Sequence, residues 1–565
     1  MSSTPNPNVL VPDEFRPHAK LVLIGEAPWK SEAERGYPFA GWSGLKLREM
    51  WGKVGLRRED FSILNVYGYP RKPETVKPDT MLQWVERLHK SLACHTDPYV
   101  LVPVGNLALW ALTGKSYPPW DKPKNGEFAR AGIQKLRGSV LTYNDRLGRK
   151  VKVVPSVHPA ALARQPGLER ACLHDWERVR AEMGFKEVRK IKRDLRVAET
   201  VEEVQWWVQE WMKKGETVTF DIENPSGKTI MIGFSSSSSS AVTVPTTTSY
   251  WKSEIACETV WRSLSCFLQS DVPKCGQNVS YDIESLYWER GIQVRNVLWD
   301  TANIFHCLDA TEGKYDLAYL ASVHTNEEFW KDEAKDPEES KKYTSNMQAF
   351  YRYNGLDAAV THELYEKGRV QLQERGLEQF YLEHYGYIQD SLVELAVTGI
   401  QVDEAMRKWR WADLMAERFE VQDQLREVVG EDLCAKKSLS PTRLQRFLYE
   451  SLRLPKKYKR VKGKEEKSVT TDESAILALM QEHPQVSKLQ EAGKLILRLR
   501  FLDAREKYYT DKLTRGGRMY SKYSPRTEEG RLSSSASNQR TEEGKNIGMN
   551  AQNIDRKIRD MFVAG

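Results

Sequence analysis

Short apolar runs that end in polar or glycine-containing turns alternate with amphipathic stretches over roughly the first two thirds of the chain. KLVLI at 20–24, ILNVYGYP at 63–70 and the β-rich run from Val218 to Ile222 are runs of this kind. From about residue 384 to Leu513 the pattern is mostly helical, with Gly516–Gly517 expected to end the last helix. Strands that alternate with helices predict a multidomain α/β protein whose last segment is mostly helical.

Charged stretches mark the expected domain boundaries. One is KEVRKIKRD at 186–194, and a second lies near 380–400. A chain of 565 residues exceeds what a single core usually organises. We therefore predict three domains, which cover residues 1–187, 188–383 and 384–565.

Composition narrows the possible environments and partners. The net charge is +7 with 85 Lys and Arg, which is compatible with phosphate binding. Seven scattered cysteines without a CxxC pair predict a reducing cytoplasm, as in a bacterial or phage-infected cell, without disulfides or structural zinc. No signal peptide and no run long enough to span a bilayer is found, so no membrane partner is expected.

Two pairs of residues point to metal chemistry. A strand with period two places Asp221 and Glu223 of VTFDIE on one face, and a helix places Tyr353 and Asp357 one turn apart. Two buried acids side by side repel each other, so a divalent cation such as Mg²⁺ or Mn²⁺ is their natural partner. Either pair alone would more often be a solvated surface feature.

Three motifs together resemble a known family. VTFDIE, KCGQNVSYDIESL and YNGLDAAVTHELY look like the three exonuclease motifs of the proofreading domain of family A DNA polymerases, which belong to the DEDD nucleases. The resemblance implies an RNase H-like α/β fold and 3′→5′ exonuclease activity. It implies two metal ions held by four carboxylates: Asp221, Glu223, Asp282 and Asp357. It further implies that Tyr353 orients the attacking water and that Asn278 contacts DNA.

Three further predictions concern this segment. Asp300 in LWDTANIF is expected to position the following helix. Ser235 to Ser240 is expected to form a turn between two strands. The run WKDEAKDPEESKKY at 330–343 is highly charged, so we expect it to form an exposed loop.

The first segment has a second group of polar residues. Glu26, Asn65 and His158 each follow an apolar run, and turns at the carboxyl ends of strands converge in an open α/β sheet. Polar residues follow strands in any α/β domain, however. Geometry alone therefore leaves a shared ligand site and unrelated turns equally open.

GEAP at 25–28, the strand ending at Asn65 and the VHPAAL turn resemble the uracil-DNA glycosylase superfamily, closest to its family 4. By this resemblance Phe39 would stack on a flipped base and Asn65 would read its polar edge. His158 would support the charge on the departing base, and Glu26 would position water or the sugar cation. Uracil excision, base sensing and plain DNA binding all stay open.

Two departures from family 4 affect what is expected. Family 4 enzymes bind an iron–sulfur cluster through four cysteines, whereas here only Cys94 lies near an expected position and Tyr69 stands near another. One thiolate cannot hold such a cluster, so none is expected. Trp29 replaces the usual glycine after GEAP, and it could exclude 5-substituted pyrimidines or block the pocket.

The last segment resembles the thumb of family A polymerases, and GRLSSS resembles the passage from thumb to palm. Arg531, Ser533 and Ser534 are the DNA contacts that this implies. No fingers helix and no palm carboxylate motif is found in the 565 residues. We therefore expect the proofreading part of a split or truncated, phage-type replicative polymerase that binds primer–template DNA, completed by a second polypeptide with palm and fingers. The alternatives are a freestanding repair nuclease–glycosylase and a DNA-binding subunit with inactive pockets.

Overall fold

The computed structural model describes residues 6–121, 132–335, 343–435, 438–461, 464–506, 508–509, 514–537, 547–554 and 556–563. The chain divides into two compact units. The first comprises Met1–Ser391 with Pro525–Arg531, and the second comprises Leu392–Ser524 with Leu532–Gly565. The first unit holds two separate sheets. Within the described ranges, no helix combines the length and the apolarity needed to cross a bilayer.

A five-stranded sheet organises the first part of unit 1. Its strands are β1 (Leu21–Gly25), β2 (Phe61–Asn65), β3 (Val100–Pro103), β4 (Leu141–Asn144) and β5 (Lys150–Val153). Their order is β2-β1-β3-β5-β4, and only β4 runs antiparallel to its neighbour. The accompanying helices are α1 (Lys30–Arg35), α2 (Trp42–Lys53), α3 (Pro78–Ala93), α4 (Asn106–Thr113), α5 (Ile133–Leu136) and α6 (Glu169–Glu182). Strands β1, β2 and β3 are buried along their whole length, as in parallel sheets with both faces covered.

A six-stranded mixed sheet organises the second part of unit 1. Its strands are β6 (Asp194–Val197), β7 (Val218–Glu223), β8 (Met231–Ser237), β9 (Ser240–Pro245), β10 (Lys274–Gly276) and β11 (Trp299–Asp300). They lie in the order β11-β10-β7-β8-β9-β6. The helices are α7 (Val201–Lys214), α8 (Thr248–Trp251), α9 (Glu254–Leu268), α10 (Ser280–Arg290), α11 (Thr301–Leu308), α12 (Leu317–His324), α13 (Met347–Glu374), α14 (Glu378–Tyr381) and α15 (Ile388–Thr398). The turn expected within the serine run connects β8 to β9.

A buried arginine of the first part of unit 1 also contacts the second part. Arg137 donates to both carboxylate oxygens of Asp175, at 2.6 and 3.2 Å, and both side chains are almost fully buried. Arg137 also donates to the hydroxyl of Ser322, which lies on α12 beside the second sheet. Removing one partner of such a pair leaves a buried charge uncompensated, which usually costs about 3–5 kcal/mol. The ion pair therefore holds Arg137 in place within the first part, and its hydrogen bond to Ser322 links the two parts.

Two long antiparallel-packed helices dominate unit 2, as the helical pattern predicts. The helices are α16 (Glu404–Val429), α17 (Pro441–Gln445), α18 (Glu473–Glu482) and α19 (Ser487–Glu506). The strands are β12 (Ile400–Val402), β13 (Cys434–Ala435), β14 (Ser438–Leu439), β15 (Tyr458–Val461), β16 (Lys464–Val469), β17 (Thr514–Arg515), β18 (Arg518–Met519), β19 (Ser521–Ser524), β20 (Ser533–Ala536) and β21 (Phe562–Val563). Buried leucine and isoleucine side chains from α16 and α19 share one core.

The expected end of the last helix is wrong. Helix α19 ends at Glu506, and Gly516 and Gly517 form the turn between β17 and β18. Both glycines have positive φ, 59° and 74°, which a two-residue hairpin turn requires. The Gly-Gly pair, which the sequence predicts to end a helix, therefore forms a hairpin turn instead. Residues 510–513, where the helix was expected to end, lie outside the described residues.

Candidate active sites

Three carboxylates meet in the second part of unit 1. Asp221 and Glu223 lie on β7 and Asp357 lies on α13, and one oxygen of each falls within 4.8 Å of the others. Ile222, between the two β7 acids, is buried on the opposite face. The sequence prediction that period two places both acids on one face is confirmed. Because β7 is an interior strand between β10 and β8, its acids are held rigidly.

Helix α13 carries the other half of this group. Tyr353 and Asp357 lie one turn apart on it, as predicted. Between them Asn354 is fully buried, and its amide donates to the backbone oxygen of Asp221 at 3.1 Å and to Oδ2 of Asp221 at 2.9 Å. Asn354 therefore orients the Asp221 carboxylate. The sequence prediction missed it, although its place three residues before Asp357 on the same helix was an available signal.

Asp282 lies beside the three acids but is not one of the group within 4.8 Å. It stands in the first turn of α10, and its Oδ1 accepts a hydrogen bond from the backbone of Ile222 at 3.1 Å. Asp300 holds the turn before α10, because its carboxylate accepts from the backbone nitrogens of Asn278 and Val279, each at 3.0 Å. It also caps the start of α11, which confirms the expectation that it positions the following helix.

Burial and neighbouring carboxylates raise the pKa values of Asp221, Glu223 and Asp282. Burial and the neighbouring Asp357 raise the pKa of Glu223 to about 8, and burial raises that of Asp282 to about 7. The pKa of Asp221 is raised well above its ordinary value for the same reasons. Carboxylate oxygens that repel one another are suitable ligands for a divalent cation, because the cation offsets their repulsion. Asp221, Glu223 and Asp357 are the residues that would hold it.

The expectation of an exposed loop at 330–343 is wrong for residues 330–335. Trp330 is 3% exposed, and its Nε1 donates to Oδ1 of Asp357 at 2.5 Å. Lys331 donates from Nζ to Oδ2 of Asp357 at 2.6 Å and to the hydroxyl of Tyr353 at 3.2 Å. The charged composition of this run predicts that it is solvated. The residues that it contacts are distant in sequence. Residues 336–342 of the predicted loop lie outside the described residues.

The second group lies at the carboxyl ends of β1 and β2. Gly25 ends β1 and Asn65 ends β2, and a Cβ on Gly25 would overlap the Asn65 side-chain oxygen and the Phe39 ring. Phe39 is buried with a positive φ of 52°. Its ring centroid lies 6.0 Å from that of His158. The structure thus brings Asn65 and Phe39 against Gly25, where only glycine fits, and His158 beside the Phe39 ring.

His158 is held as a neutral donor. Burial lowers its pKa to about 4, so the ring is uncharged near neutral pH. Its Nδ1 accepts a hydrogen bond from the backbone of Ala160 at 3.2 Å, which leaves the ring proton on Nε2. A neutral imidazole with a fixed Nε2–H can donate to an oxygen that gains negative charge.

Glu26 is directed toward the start of α4. Its Oε1 accepts from the backbone nitrogen of Leu107 at 3.0 Å, and a Cβ on Gly105 would overlap its carboxylate. The backbone of Gly105 has a φ of 105°, which glycine adopts without strain. The pKa of Tyr117 is raised by burial and by Glu26, so this phenol stays protonated beside the carboxylate.

The residues near the expected cluster position do not fit an iron–sulfur cluster. Tyr69 packs its ring against Tyr67 and Trp84, with centroids 5.8 and 5.7 Å away. Cys94 is an exposed free thiol. An aromatic group with a single nearby cysteine lacks the four thiolates that a cluster needs. Trp29 is 45% exposed and precedes α1.

The four residues that are predicted to contact DNA have different neighbours. Asn278 accepts on its side-chain oxygen a hydrogen bond from Arg526 at 2.5 Å, and Arg531 is exposed beside Glu529. In unit 2, Ser533 donates to the backbone oxygen of Ser524 at 3.3 Å. Ser534, also in unit 2, donates to Asn550 at 2.6 Å. Contact of these four residues with DNA stays a prediction.

Together the folds and the two sites define a class: a multidomain α/β hydrolase with two separate centres. A family model described as the uracil DNA glycosylase superfamily matches residues 12–180, and one described as a 3′-5′ exonuclease matches residues 195–373. The type-4 uracil-DNA glycosylase of Archaeoglobus fulgidus is 32% identical over 178 residues, which are 31% of this chain and 83% of that protein. Through this N-terminal part, the chain belongs to the uracil-DNA glycosylase superfamily.

Two further similarities are to DNA polymerases. The DNA polymerase I of Geobacillus stearothermophilus is 24% identical over 171 residues, 30% of this chain and only 19% of that protein. A solved structure described as the POL domain of Pol1 from M. smegmatis in complex with DNA primer-template and dNTP covers 66% of this chain and 59% of that one. Its TM-score is 0.46 at 20% identity.

The raised carboxyl pKa values predict how stability depends on pH without metal. The folded protein keeps a proton on Glu223 up to about pH 8, whereas an unperturbed glutamate releases it near 4.5. The folded state therefore binds more protons in this window, and the free energy of unfolding falls as pH rises through it. In EDTA, Glu223→Gln should remove on the order of 4 kcal/mol of this loss at pH 8. Urea unfolding at pH 5 and pH 8 measures it.

Glu374→Gln, at the exposed end of α13, is the matched control and should leave the pH slope unchanged. Adding excess Mg²⁺ to the wild type should recover stability at pH 8, because a ligand that binds only the folded state stabilises it. An equal pH slope in the wild type and in Glu223→Gln would contradict the assignment.

Proposed function

We propose that this protein hydrolyses DNA from the 3′ end and releases mononucleotides. The observation that carries the proposal is the group of half-buried Asp221 and Glu223 and buried Asp357, with Tyr353 one helical turn from Asp357. The match of residues 195–373 to 3′-5′ exonucleases supports the same reaction. Mg²⁺ or Mn²⁺, two ions by the family resemblance, is the proposed cofactor.

In this reaction water adds to the terminal phosphorus and the bond to the 3′ oxygen of the preceding nucleotide breaks. Bound divalent ions would lower the pKa of the attacking water and stabilise the leaving 3′ oxygen. The phenol of Tyr353 can hold the attacking water, because burial and the adjacent acids raise its pKa and keep it protonated. Asp221, Glu223 and Asp357 provide the ligand oxygens, and Asn354 keeps Asp221 oriented. Asp282 is the fourth carboxylate and lies beside these three.

Removing single groups should separate their roles. Asp221→Ala should abolish release of mononucleotides from a 3′-mismatched primer, because a ligand oxygen is lost. Tyr353→Phe should lower kcat by about 10²-fold while binding persists, since general acid–base or water-orienting groups contribute at least that much. Single-turnover assays in Mg²⁺ measure both.

Glu374→Gln on the same helix should keep full activity, and EDTA should abolish it in every active variant. Undiminished release by Asp221→Ala would rule out the proposed metal site.

A finer proposal concerns the biological setting. We propose that the nuclease proofreads for a family A polymerase in DNA replication and that a second polypeptide supplies palm and fingers. The similarity to a DNA polymerase I supports this, as does the thumb-like sequence of the last segment. Primer extension should appear when this chain is mixed with the product of an adjacent palm-encoding reading frame. A neighbouring frame without palm carboxylates, or a mixture that does not extend the primer, would favour a freestanding repair nuclease.

A second candidate activity is uracil excision from DNA, and the neutral His158 beside Phe39 favours it. The N-glycosidic bond breaks, the base departs with the bonding electrons, water adds to the sugar carbon, and the proton that the water loses ends on the base. By the family resemblance, Asn65 would read the base edge and Phe39 would stack on it. The Nε2–H of His158 donates to the charged base oxygen, which lowers the barrier.

A single-stranded oligonucleotide with one uracil should become alkali-labile at that position after incubation with the protein. His158→Ala should slow this by about 10²–10³-fold, as for loss of one oxyanion donor. His89→Ala, which removes a histidine stacked on Tyr143, is the control. Tight binding of uracil DNA without cleavage would indicate base sensing instead of excision.

A further inference from the structure

One segment of the second part of unit 1 contacts both of its sheets. We call Asn326–Lys335 the bridging segment. Phe329 packs against the core of the first sheet, while the next residue, Trp330, is buried in the core of the second. Consecutive side chains of extended chain point to opposite sides, so one short stretch contacts two cores at once.

The contacts toward the first sheet are mainly charge pairs. Lys135 on α5 donates to both carboxylate oxygens of Asp332, at 2.9 and 3.0 Å, and its ammonium lies 5.6 Å from the Phe329 ring centroid. Lys115 pairs with Glu328. Lys335, within the segment, also donates to Asp332, at 3.1 Å. Basic residues of the first part thus hold acidic residues of the bridging segment.

On the side of the second sheet, the bridging segment contacts the acidic residues themselves. Trp330 holds one oxygen of Asp357 and Lys331 holds the other, so the plane of this carboxylate is set by the bridging segment. Lys331 also contacts the Tyr353 hydroxyl. Lys331 and Asp332 are adjacent, and neighbouring Cα atoms are about 3.8 Å apart, so a shift of Asp332 must move Lys331.

We propose that the glycosylase-like part positions the exonuclease site through the bridging segment. Lys135 is one anchor of this segment, and Trp330 and Lys331 are positioning residues that orient Asp357. The inference rests on the proposed exonuclease function. Misplacement of a reacting group by about 1 Å can cost about 10²-fold in rate, so loss of the anchor should be visible in catalysis.

The test uses the full chain and a single-stranded oligonucleotide with Mg²⁺. Lys135→Met and Asp332→Asn should each lower kcat for mononucleotide release by about three- to fivefold with KM little changed, and the double variant should lower it no further. The charge reversal that combines Lys135→Asp with Asp332→Lys should recover most of the rate. Lys90→Met, on exposed helix α3, is the matched control and should retain the wild-type rate.

Hydrogen exchange without metal gives an independent readout. Peptides from 326–335 should exchange faster in Lys135→Met than in the wild type, while peptides from β7 should not change. Unchanged kcat in Lys135→Met, unchanged exchange in 326–335, or failure of the charge reversal to restore the rate would each overturn the inference. If the wild type releases no mononucleotides, the exonuclease proposal fails, and the exchange experiment still decides whether Lys135 anchors the segment.

Discussion

The close approach of like charges in a buried place is the constraint on which the rest of the nuclease half depends. Three carboxylates within 4.8 Å repel one another more strongly than they would in water, because little solvent screens them. Nothing in the acids themselves favours this arrangement. It exists because an interior strand, β7, and a long helix, α13, bring them together and are stabilised by packing elsewhere.

The neighbours of the acids share one chemical property: they are donors. Asn354 donates to Asp221, the Ile222 backbone donates to Asp282, and Trp330 and Lys331 donate to Asp357. Of these four donors only Lys331 carries a charge, so the group of Asp221, Glu223 and Asp357 keeps an excess of negative charge when ionised. An excess of about two charges at closely spaced oxygens is the electrostatic requirement that a divalent cation meets.

The local parts of this site could be read from the sequence, and the distant parts could not. Period two fixed the shared face of Asp221 and Glu223, and the i,i+4 spacing fixed Tyr353 and Asp357, because both depend on neighbours along one element. The charged run at 330–335 was misread because local composition indicates solvation. Its burial depends on Asp357, 26 residues beyond Lys331, and on a lysine almost 200 residues before Asp332. A Gly-Gly pair likewise ends a helix or turns a hairpin according to what its flanks pair with.

The two sides of the bridging segment differ in strength, and this difference bears on how the halves communicate. Its contacts to Asp357 are buried, whereas Lys135 is 39% exposed in its pair with Asp332. Pairs of the exposed kind contribute about 0–1 kcal/mol each and weaken with salt. Arg137, in contrast, is buried in its pair with Asp175 and donates from there to the Ser322 hydroxyl of the second part. The two parts are therefore joined by a buried contact at Arg137 and by a weaker, adjustable one at Lys135. The adjustable contact is the one that leads to Asp357, so any influence of the first domain on the acids would pass through interactions weak enough to be tuned.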